Sequence, residues 1–220
     1  MNFTSMALYG SCARGDNQPG SDIDVFAIHD GDSYQMLYLG NLNVSAYPLE
    51  LARKKAQEGD LFMMHIVAES KVITDMTGAL QRLVGCFEYK SSYSIEQKKA
   101  ADLAWYLVEN SRSLKDYSML NRRLAWCVRT ILIARSAELR SPVFSSAKLA
   151  DFFGDPLVKV LIDKKSKSKF DFESVDFVRS FLRSNNFDFP EFGVSALDYF
   201  LRTENQVALS TLKGEVGEFY

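Results

Sequence analysis

The chain has 220 residues, of which 47% are hydrophobic and 25% are charged, and its formal net charge is −2. This length and apolar content are enough to bury a sizeable core in one domain or in two. The weak net charge argues against a protein that coats DNA, and no apolar run reaches the length needed to span a membrane.

The few cysteines and histidines exclude other classes of site. Cys12, Cys86 and Cys127 are odd in number and widely spaced, which argues against a disulfide framework or a zinc site. His29 and His65 lie far apart, so we expect both to be structural. No basic segment followed by an apolar stretch opens the chain, and we therefore expect a cytoplasmic protein.

Strands and helices alternate in the predicted structure of the first third of the chain. In chain order, we predict a strand at 3–9, a short helix at 11–15, strands at 22–29 and 41–47, helices at 49–58 and 61–69, and a strand at 71–74. This order predicts a small mixed sheet with helices packed against it.

A glycine and a serine follow the first predicted strand. Gly10 lets a backbone approach a phosphate closely, and Ser11 offers a hydroxyl and an N–H at a predicted helix start, where the dipole favours an anion. The turn is therefore suited to a triphosphate. The alternative is that Ser11 only caps the short helix.

Two aspartates begin the second predicted strand. Asp22 and Asp24 are two residues apart, so a strand places both carboxylates on one face, while Ile23 and Val25 fill the other. Carboxylates together with substrate phosphates are the ligands that Mg²⁺ prefers. The alternative is that both aspartates are a solvated strand end.

Together the glycine-serine and aspartate motifs resemble those of the nucleotidyltransferase superfamily with a DNA polymerase β-like fold. This superfamily includes the minimal and the aminoglycoside-type bacterial nucleotidyltransferases. The matching sequence segments are Leu8-Tyr9-Gly10-Ser11-Cys12-Ala13-Arg14-Gly15-Asp16 and Ser21-Asp22-Ile23-Asp24-Val25. The resemblance implies an α+β fold class, in which a small mixed-sheet nucleotidyltransferase domain precedes an all-helical domain. We place these domains at 1–77 and 78–220.

The resemblance also implies a set of site residues. Asp22 and Asp24 are expected to be catalytic and to bind Mg²⁺, with Mn²⁺ as an alternative ion, while ATP or another nucleoside triphosphate is the substrate. Gly10, Ser11, Arg14 and Ser21 are the expected nucleotide contacts. For Arg14 a second interpretation stays open, in which it is the ordinary ion-pair partner of Asp16.

One position departs from the family pattern. Related enzymes carry a third carboxylate on the next strand, where it completes the metal site and often serves as the base. Here the matching position is interpreted as Asn43, with Ser45 as the less favoured register. An amide offers a neutral oxygen but does not accept a proton near neutral pH, so the base function is in doubt. Asn43 as an ordinary strand residue is the alternative.

From about residue 78 the pattern becomes helical. Helices are predicted at 94–117, with Ser94 and Gln97 as a capping box, and at 117–137, 172–183 and 195–212. Arg122 and Arg129 share a helix face, which suggests that Arg122 contacts the triphosphate; a solvated face is the alternative.

These residues lead to three functional hypotheses. The first is an enzyme that transfers a nucleoside monophosphate from a nucleoside triphosphate to a hydroxyl of a small molecule and releases pyrophosphate. The second is an antitoxin-like minimal nucleotidyltransferase that modifies a protein or RNA. The third is a nucleotide-binding module weakened by Asn43. The family's usual helix before the first strand is missing, so part of the sheet should be exposed unless another element, such as one from a second subunit in a homodimer, covers it.

Overall fold

The chain divides into two compact units in the computed structural model, which describes residues 2–17 and 19–215. The first unit comprises Met1–Ser91 and Ser136–Ser145, and the second comprises Ser92–Arg135 and Ser146–Tyr220. The first unit is therefore discontinuous in sequence. The domain boundary that we placed after residue 77 stays a prediction.

Within the described residues, the first unit is built on one five-stranded sheet. Its strands are β1 (Phe3–Tyr9), β2 (Ile23–His29), β3 (Gln35–Leu39), β4 (Leu42–Pro48) and β5 (Lys71–Asp75). They lie in the order β3-β4-β2-β1-β5. The β2–β4 pair is parallel and the other neighbours are antiparallel. The predicted mixed sheet is confirmed.

Four helices of the first unit lie between the strands or directly after the last strand in the sequence. They are α1 (Gly10–Arg14), α2 (Leu49–Gln57), α3 (Leu61–Glu69) and α4 (Ala79–Cys86). Asp60 caps α3, because its side chain accepts hydrogen bonds from the amides of Phe62 and Met63. The separate helices predicted on either side of Gly59 and Asp60 are therefore confirmed.

The two faces of the sheet carry different apolar clusters. Phe26 and Ile28 belong to a cluster that includes Ala52, Met63 and Leu83 from the helices. Val25 and Ala27, whose side chains alternate with these along β2, belong to a second cluster formed by strand residues alone. The period of two in β2 thus assigns Asp24 to the face that also carries Phe26 and Ile28.

Strand β3 was not predicted from the sequence. It pairs with β4 through a hairpin in which Leu39 lies opposite Leu42, so that Gly40 and Asn41 form a two-residue loop. Gly40 has a φ of +64°, which suits the first position of such a turn. The Gly-Asn dipeptide was the available signal for this hairpin. Most of the strand is exposed or half-buried, which is why its own pattern is weak.

Helices form the second unit. The long ones are α5 (Ser94–Asn110) and α6 (Tyr117–Glu138), and the boundary between the units falls near the end of α6. The others are α7 (Ser146–Phe153), α8 (Pro156–Asp163), α9 (Phe172–Ser184), α10 (Ala196–Arg202) and α11 (Gln206–Glu215), and a 3₁₀ turn covers Lys164–Ser166. The helix predicted at 117–137 is confirmed, and its Leu120, Leu124 and Val128 side chains are completely buried.

Two details of the helical region differ from the sequence-based expectations. The predicted capping box at Ser94 is wrong, because no side chain caps α5 and the Gln97 amide oxygen instead accepts a hydrogen bond from Arg135. The single helix predicted over 195–212 is two helices, which separate before Asn205. The side chain of Asn205 accepts a hydrogen bond from the amide of Ala208 at the start of the second one. No helix among the described residues is long and apolar enough to cross a membrane.

Candidate active site in the first unit

Strands β2 and β4 bring Asp24 and Asn43 together. The parallel register places Asp24 beside Asn43, and Asn43 Nδ2 donates a hydrogen bond to Asp24 Oδ1 at 3.3 Å. Ser45, the alternative register, lies beside Phe26 and contacts the Tyr9 hydroxyl at 3.3 Å. The neighbour of Asp24 on the next strand is therefore Asn43, as the sequence interpretation favoured.

Gly10 lies directly against this pair. Its φ of +72° belongs to the left-handed region, and a Cβ added at this position would lie 3.1 Å from Asp24 Oδ2. A side chain here would therefore press on the carboxylate as well as strain the backbone. Glycine at position 10 therefore lets the Asp24 carboxylate lie close against this turn.

The other residues predicted for the site lie close to Gly10 or Asp24 in the sequence. Asp22 is exposed and directly precedes β2, and its carbonyl oxygen lies 3.5 Å from Cys12 Sγ. That contact links the short helix α1 to the start of β2. Ser11 and Ser21 are both half-buried. Their roles as nucleotide contacts stay predictions.

An aromatic residue on β3 continues the row of side chains across the sheet. Tyr38 lies opposite Asn43 in the antiparallel β3–β4 pair and is 71% exposed. The strand registers thus place four neighbouring residues on the same face of the sheet: Tyr9, Asp24, Asn43 and Tyr38. Tyr38 adds an accessible aromatic ring on the side of Asn43 away from Gly10. Tyr38 was not predicted as a site residue because strand β3 was not predicted.

Arg14 is held in an ion-pair network. Its Nη1 donates to Glu69 Oε2 at 2.8 Å, and its Nε donates to Asp16 at 3.1 Å. The arginine and glutamate side chains are only 14% and 18% exposed. The ion pair with Asp16 was one of the two interpretations left open from the sequence. The pair with Glu69 was not foreseen, because a carboxylate at the end of α3 belongs to no motif.

His65 joins the same network from α3. Its Nε2 lies 3.0 Å from Glu69 Oε2, and beside a carboxylate acceptor this nitrogen carries the proton. Arg14 Nη1 also lies 3.5 Å from His65 Nε2, which is then an approach of two donors rather than a hydrogen bond. The expectation that His65 is structural agrees with these contacts.

The electrostatics of the network keep Arg14 and Glu69 charged. Burial raises the pKa of the Glu69 carboxyl, but hydrogen bonds from His65 and Arg14 outweigh burial and leave that pKa below its usual range. Burial lowers the pKa of Arg14, but its hydrogen bonds to Asp16 and Glu69 outweigh that effect and raise the pKa. Arg14 is therefore a fixed cation next to the glycine-serine turn.

Residues from 136–145, which we call the returning segment, complete the network. The Phe144 ring stacks on the His65 ring with a centroid separation of 4.3 Å and an interplanar angle of 12°. Burial raises the pKa of the Asp16 carboxyl, but hydrogen bonds from Arg14 and Ser145 outweigh burial and lower the pKa. Two consecutive residues of the returning segment, Phe144 and Ser145, thus contact His65 and Asp16 of the network.

Arg122 belongs to a different unit of the chain from the other predicted site residues. It belongs to α6 in the second unit and is exposed. Its side chain makes no ion pair with any described carboxylate. Its predicted contact with the triphosphate stays a prediction.

The oxygen donors next to Gly10 are of the type that binds Mg²⁺. Asp22 and Asp24 supply carboxylates and Asn43 supplies an amide, and Gly10 lies close to Asp24 Oδ2. The described residues contain no group of three or more His, Cys, Asp or Glu side chains placed to hold a metal ion. The donor set therefore fits Mg²⁺ bound by two carboxylates together with substrate oxygens, rather than a cage made wholly of protein acids.

Comparison with known proteins identifies the class of this unit. Residues 3–76 match the family model described as the nucleotidyltransferase domain. Residues 3–76 therefore match a nucleotidyltransferase domain, consistent with the polymerase β-like superfamily that the motifs at Gly10-Ser11 and Asp22–Asp24 predicted. The match supports nucleotidyl transfer as the general reaction. No curated protein matched the chain.

Proposed function

We propose that the chain is an Mg²⁺-dependent nucleotidyltransferase that uses ATP or another nucleoside triphosphate. It transfers the nucleoside monophosphate to an acceptor hydroxyl and releases pyrophosphate. The observation that carries this proposal is the close packing of Gly10 against an Asp24 carboxylate that accepts a hydrogen bond from Asn43. The match of residues 3–76 to a nucleotidyltransferase domain supports the reaction class.

The phosphate tail is proposed to lie over the turn at Gly10 and Ser11. Backbone N–H groups and the Ser11 hydroxyl are the donors for phosphate oxygens there. The left-handed backbone of Gly10 is what allows such close approach. The Arg14 cation next to this turn adds positive charge for the same tail.

Asp22 and Asp24 are the proposed ligands of Mg²⁺, and the Asn43 amide oxygen is a neutral third donor after rotation of the amide. Bound there, Mg²⁺ neutralises phosphate charge and polarises the phosphorus centre. The protein's own part is to hold the acceptor and the triphosphate in line. A bond then forms between the acceptor oxygen and the α-phosphorus, and the bond from that phosphorus to the pyrophosphate oxygen breaks.

Proton removal is the weak step of this site. The Asn43 amide does not accept a proton near neutral pH, so the proton of the acceptor hydroxyl leaves to water. Before Mg²⁺ binds, Asn43 orients Asp24 through its hydrogen bond. We therefore expect slower turnover than an enzyme with a third carboxylate at this position would show.

The same observation favours a second candidate function, a module that binds nucleotide and turns it over poorly or not at all. Incubation with ATP labelled at the α-phosphate, Mg²⁺ and a cell extract separates the two. Label on a small molecule, on a protein or on RNA supports transfer and identifies the class of acceptor. Nucleotide binding without label transfer supports the module.

The test requires a matched variant in which only the proposed metal ligand changes. Asp24→Asn keeps the shape of the side chain and its hydrogen-bonding oxygen but removes the charge. If Asp24→Asn transfers label as well as the unaltered protein does, the proposed function is wrong.

A further inference from the structure

The guanidinium of Arg14 is fixed on two of its three nitrogens. Nε donates to Asp16 and Nη1 donates to Glu69. Nη2 makes no hydrogen bond to any described residue. The described contacts thus leave one edge of the guanidinium free for an oxygen acceptor from outside.

The groups that fix this cation are themselves held rigidly. Glu69 Oε2 accepts from both Arg14 and His65, and the His65 side chain is only 11% exposed. The Phe144 ring covers one face of the imidazole, and the edge-on Tyr9 ring lies 5.5 Å away. A rotation of Glu69 away from Arg14 would therefore break the contact with His65 as well.

The position of Arg14 makes this rigidity relevant to the nucleotide. Arg14 ends α1, only a few residues after the Gly10-Ser11 turn proposed to hold the phosphate tail. A mobile arginine side chain in water loses conformational entropy when it binds a phosphate. An arginine whose Nε and Nη1 are already hydrogen-bonded loses little more. Preorganisation of this kind strengthens binding without any additional contact to the ligand.

We propose that Glu69 and His65, supported by Phe144 and Ser145 of the returning segment, are positioning residues that aim the free Nη2 edge of Arg14 at the phosphate tail of the nucleotide. This inference rests on the proposed function. It extends the nucleotide site beyond the residues that match the nucleotidyltransferase domain, because Phe144 and Ser145 lie far outside 3–76. Neither residue touches the nucleotide in this proposal.

The test compares the binding of ATP with that of AMP by calorimetry in the presence of Mg²⁺. AMP lacks the β- and γ-phosphates, so a contact to the tail affects ATP alone. Glu69→Ala is expected to weaken ATP binding about tenfold and to leave AMP binding nearly unchanged. Glu69→Gln retains an acceptor oxygen for Arg14 and is expected to lose less.

The returning segment is tested in the same way. Phe144→Leu keeps an apolar side chain but removes the ring from His65, and it is expected to shift ATP affinity in the same direction as Glu69→Gln. Val143→Ala, the neighbouring substitution, and Glu58→Ala, at an exposed ion pair with Lys54, are the controls and should bind ATP normally. Thermal unfolding of each variant establishes that it is folded, and Glu69→Gln carries the test if Phe144→Leu is not.

Kinetics provide a second readout when transfer is measurable. Loss of positioning is expected to raise the KM for ATP in Glu69→Gln with little change in kcat. Equal ATP affinity in Glu69→Ala and the unaltered protein, or an equal loss for ATP and AMP, would overturn the positioning role and leave the proposed function intact. If the unaltered protein binds no ATP, the nucleotide site itself is wrong and the positioning role falls with it.

Discussion

Asn43 donates a hydrogen bond to Asp24 across the only parallel strand pair in the described part of the sheet, at 3.3 Å. An amide therefore occupies the place next to the carboxylate where a second charge would otherwise lie. In the absence of a metal ion this arrangement is favourable, because the donor compensates the acid. The same amide limits the negative charge that the site offers to a cation.

Asn43→Asp is expected to destabilise the metal-free protein and to strengthen Mg²⁺ binding. Two carboxylates at about this distance repel one another by roughly 1–4 kcal/mol, so the variant should unfold at a lower temperature without metal. Mg²⁺ should raise its unfolding temperature more than that of the unaltered protein, and transfer should become faster. Thermal melts with and without Mg²⁺ measure the first effect. Asn41→Asp, at an exposed loop position, is the control. An identical Mg²⁺ response in both variants would contradict the proposed metal site.

Asp22→Asn and Asp24→Asn are each expected to reduce transfer by about 10³-fold, because a metal ion contributes several kcal/mol to charge stabilisation in the transition state. Pyrophosphate release in the presence of ATP and Mg²⁺ measures this loss. Asp32→Asn, at an exposed position of the same unit, should retain full activity. Normal activity in either of the first two variants would remove that aspartate from the site.

Gly10→Ala and Gly15→Ala form a matched pair. Both glycines have a positive φ, so each substitution should destabilise the protein by about 1–2 kcal/mol. Only at Gly10 would the new Cβ press on Asp24, since nothing lies within 4 Å of a Cβ at Gly15. Urea unfolding and transfer assays of both variants separate the two effects. Comparable activity in the two would show that transfer does not depend on the close approach of Gly10 to Asp24.

Glu69→Gln is expected to reduce stability at neutral pH by about 1–3 kcal/mol, the value typical of hydrogen bonds to charged groups. Because folding lowers the pKa of Glu69, its stabilising contribution is present above the ordinary value of 4.5 and is lost as the pH falls through the folded-state pKa. The stability difference between the two proteins should therefore shrink in acid. Urea unfolding across this range measures it, and Glu58→Gln should show no such trend. A difference that stays constant with pH would argue against the ion pair.

Tyr199→Phe tests the second unit. The Tyr199 hydroxyl donates to Asp102 Oδ2 at 2.7 Å, and the Asp102 side chain is only 5% exposed. Losing this donor should cost about 1–3 kcal/mol, because Lys98 alone then compensates the carboxylate. Denaturant unfolding measures the loss. Tyr89→Phe, whose hydroxyl makes no hydrogen bond to a described residue, should be neutral.

Much of the first unit could be predicted because its signals are local. Alternating apolar residues indicated β1, β2 and β4, and the Gly59-Asp60 break separated α2 from α3. Strand β3 was missed because an exposed edge strand carries little periodicity, and only its Gly-Asn turn could have revealed it. The register that joins Asp24 to Asn43 could be predicted in part, because the side-chain period of strands restricts the choice to every second residue.

The rest of the candidate site could not be predicted because it depends on contacts between residues distant in sequence. Glu69 and Phe144 lie far from the glycine-serine turn, and neither belongs to a motif. Ion pairs of Arg14 with Asp16 and with Glu69 are equally compatible with the sequence, and only packing shows that both are made. The capping box at Ser94 failed for a related reason, because Arg135 engages Gln97.

The late place of Phe144 and Ser145 in the chain has a consequence for biosynthesis. A ribosome that has translated the first 91 residues has supplied every described strand of the sheet, yet Phe144, which stacks on His65, has still to be made. At about 5–20 residues per second, residue 145 follows roughly 3–10 s later. During that interval the nascent first unit exposes the imidazole face that Phe144 later covers, and the support for Arg14 is completed only when the emerging polypeptide folds back.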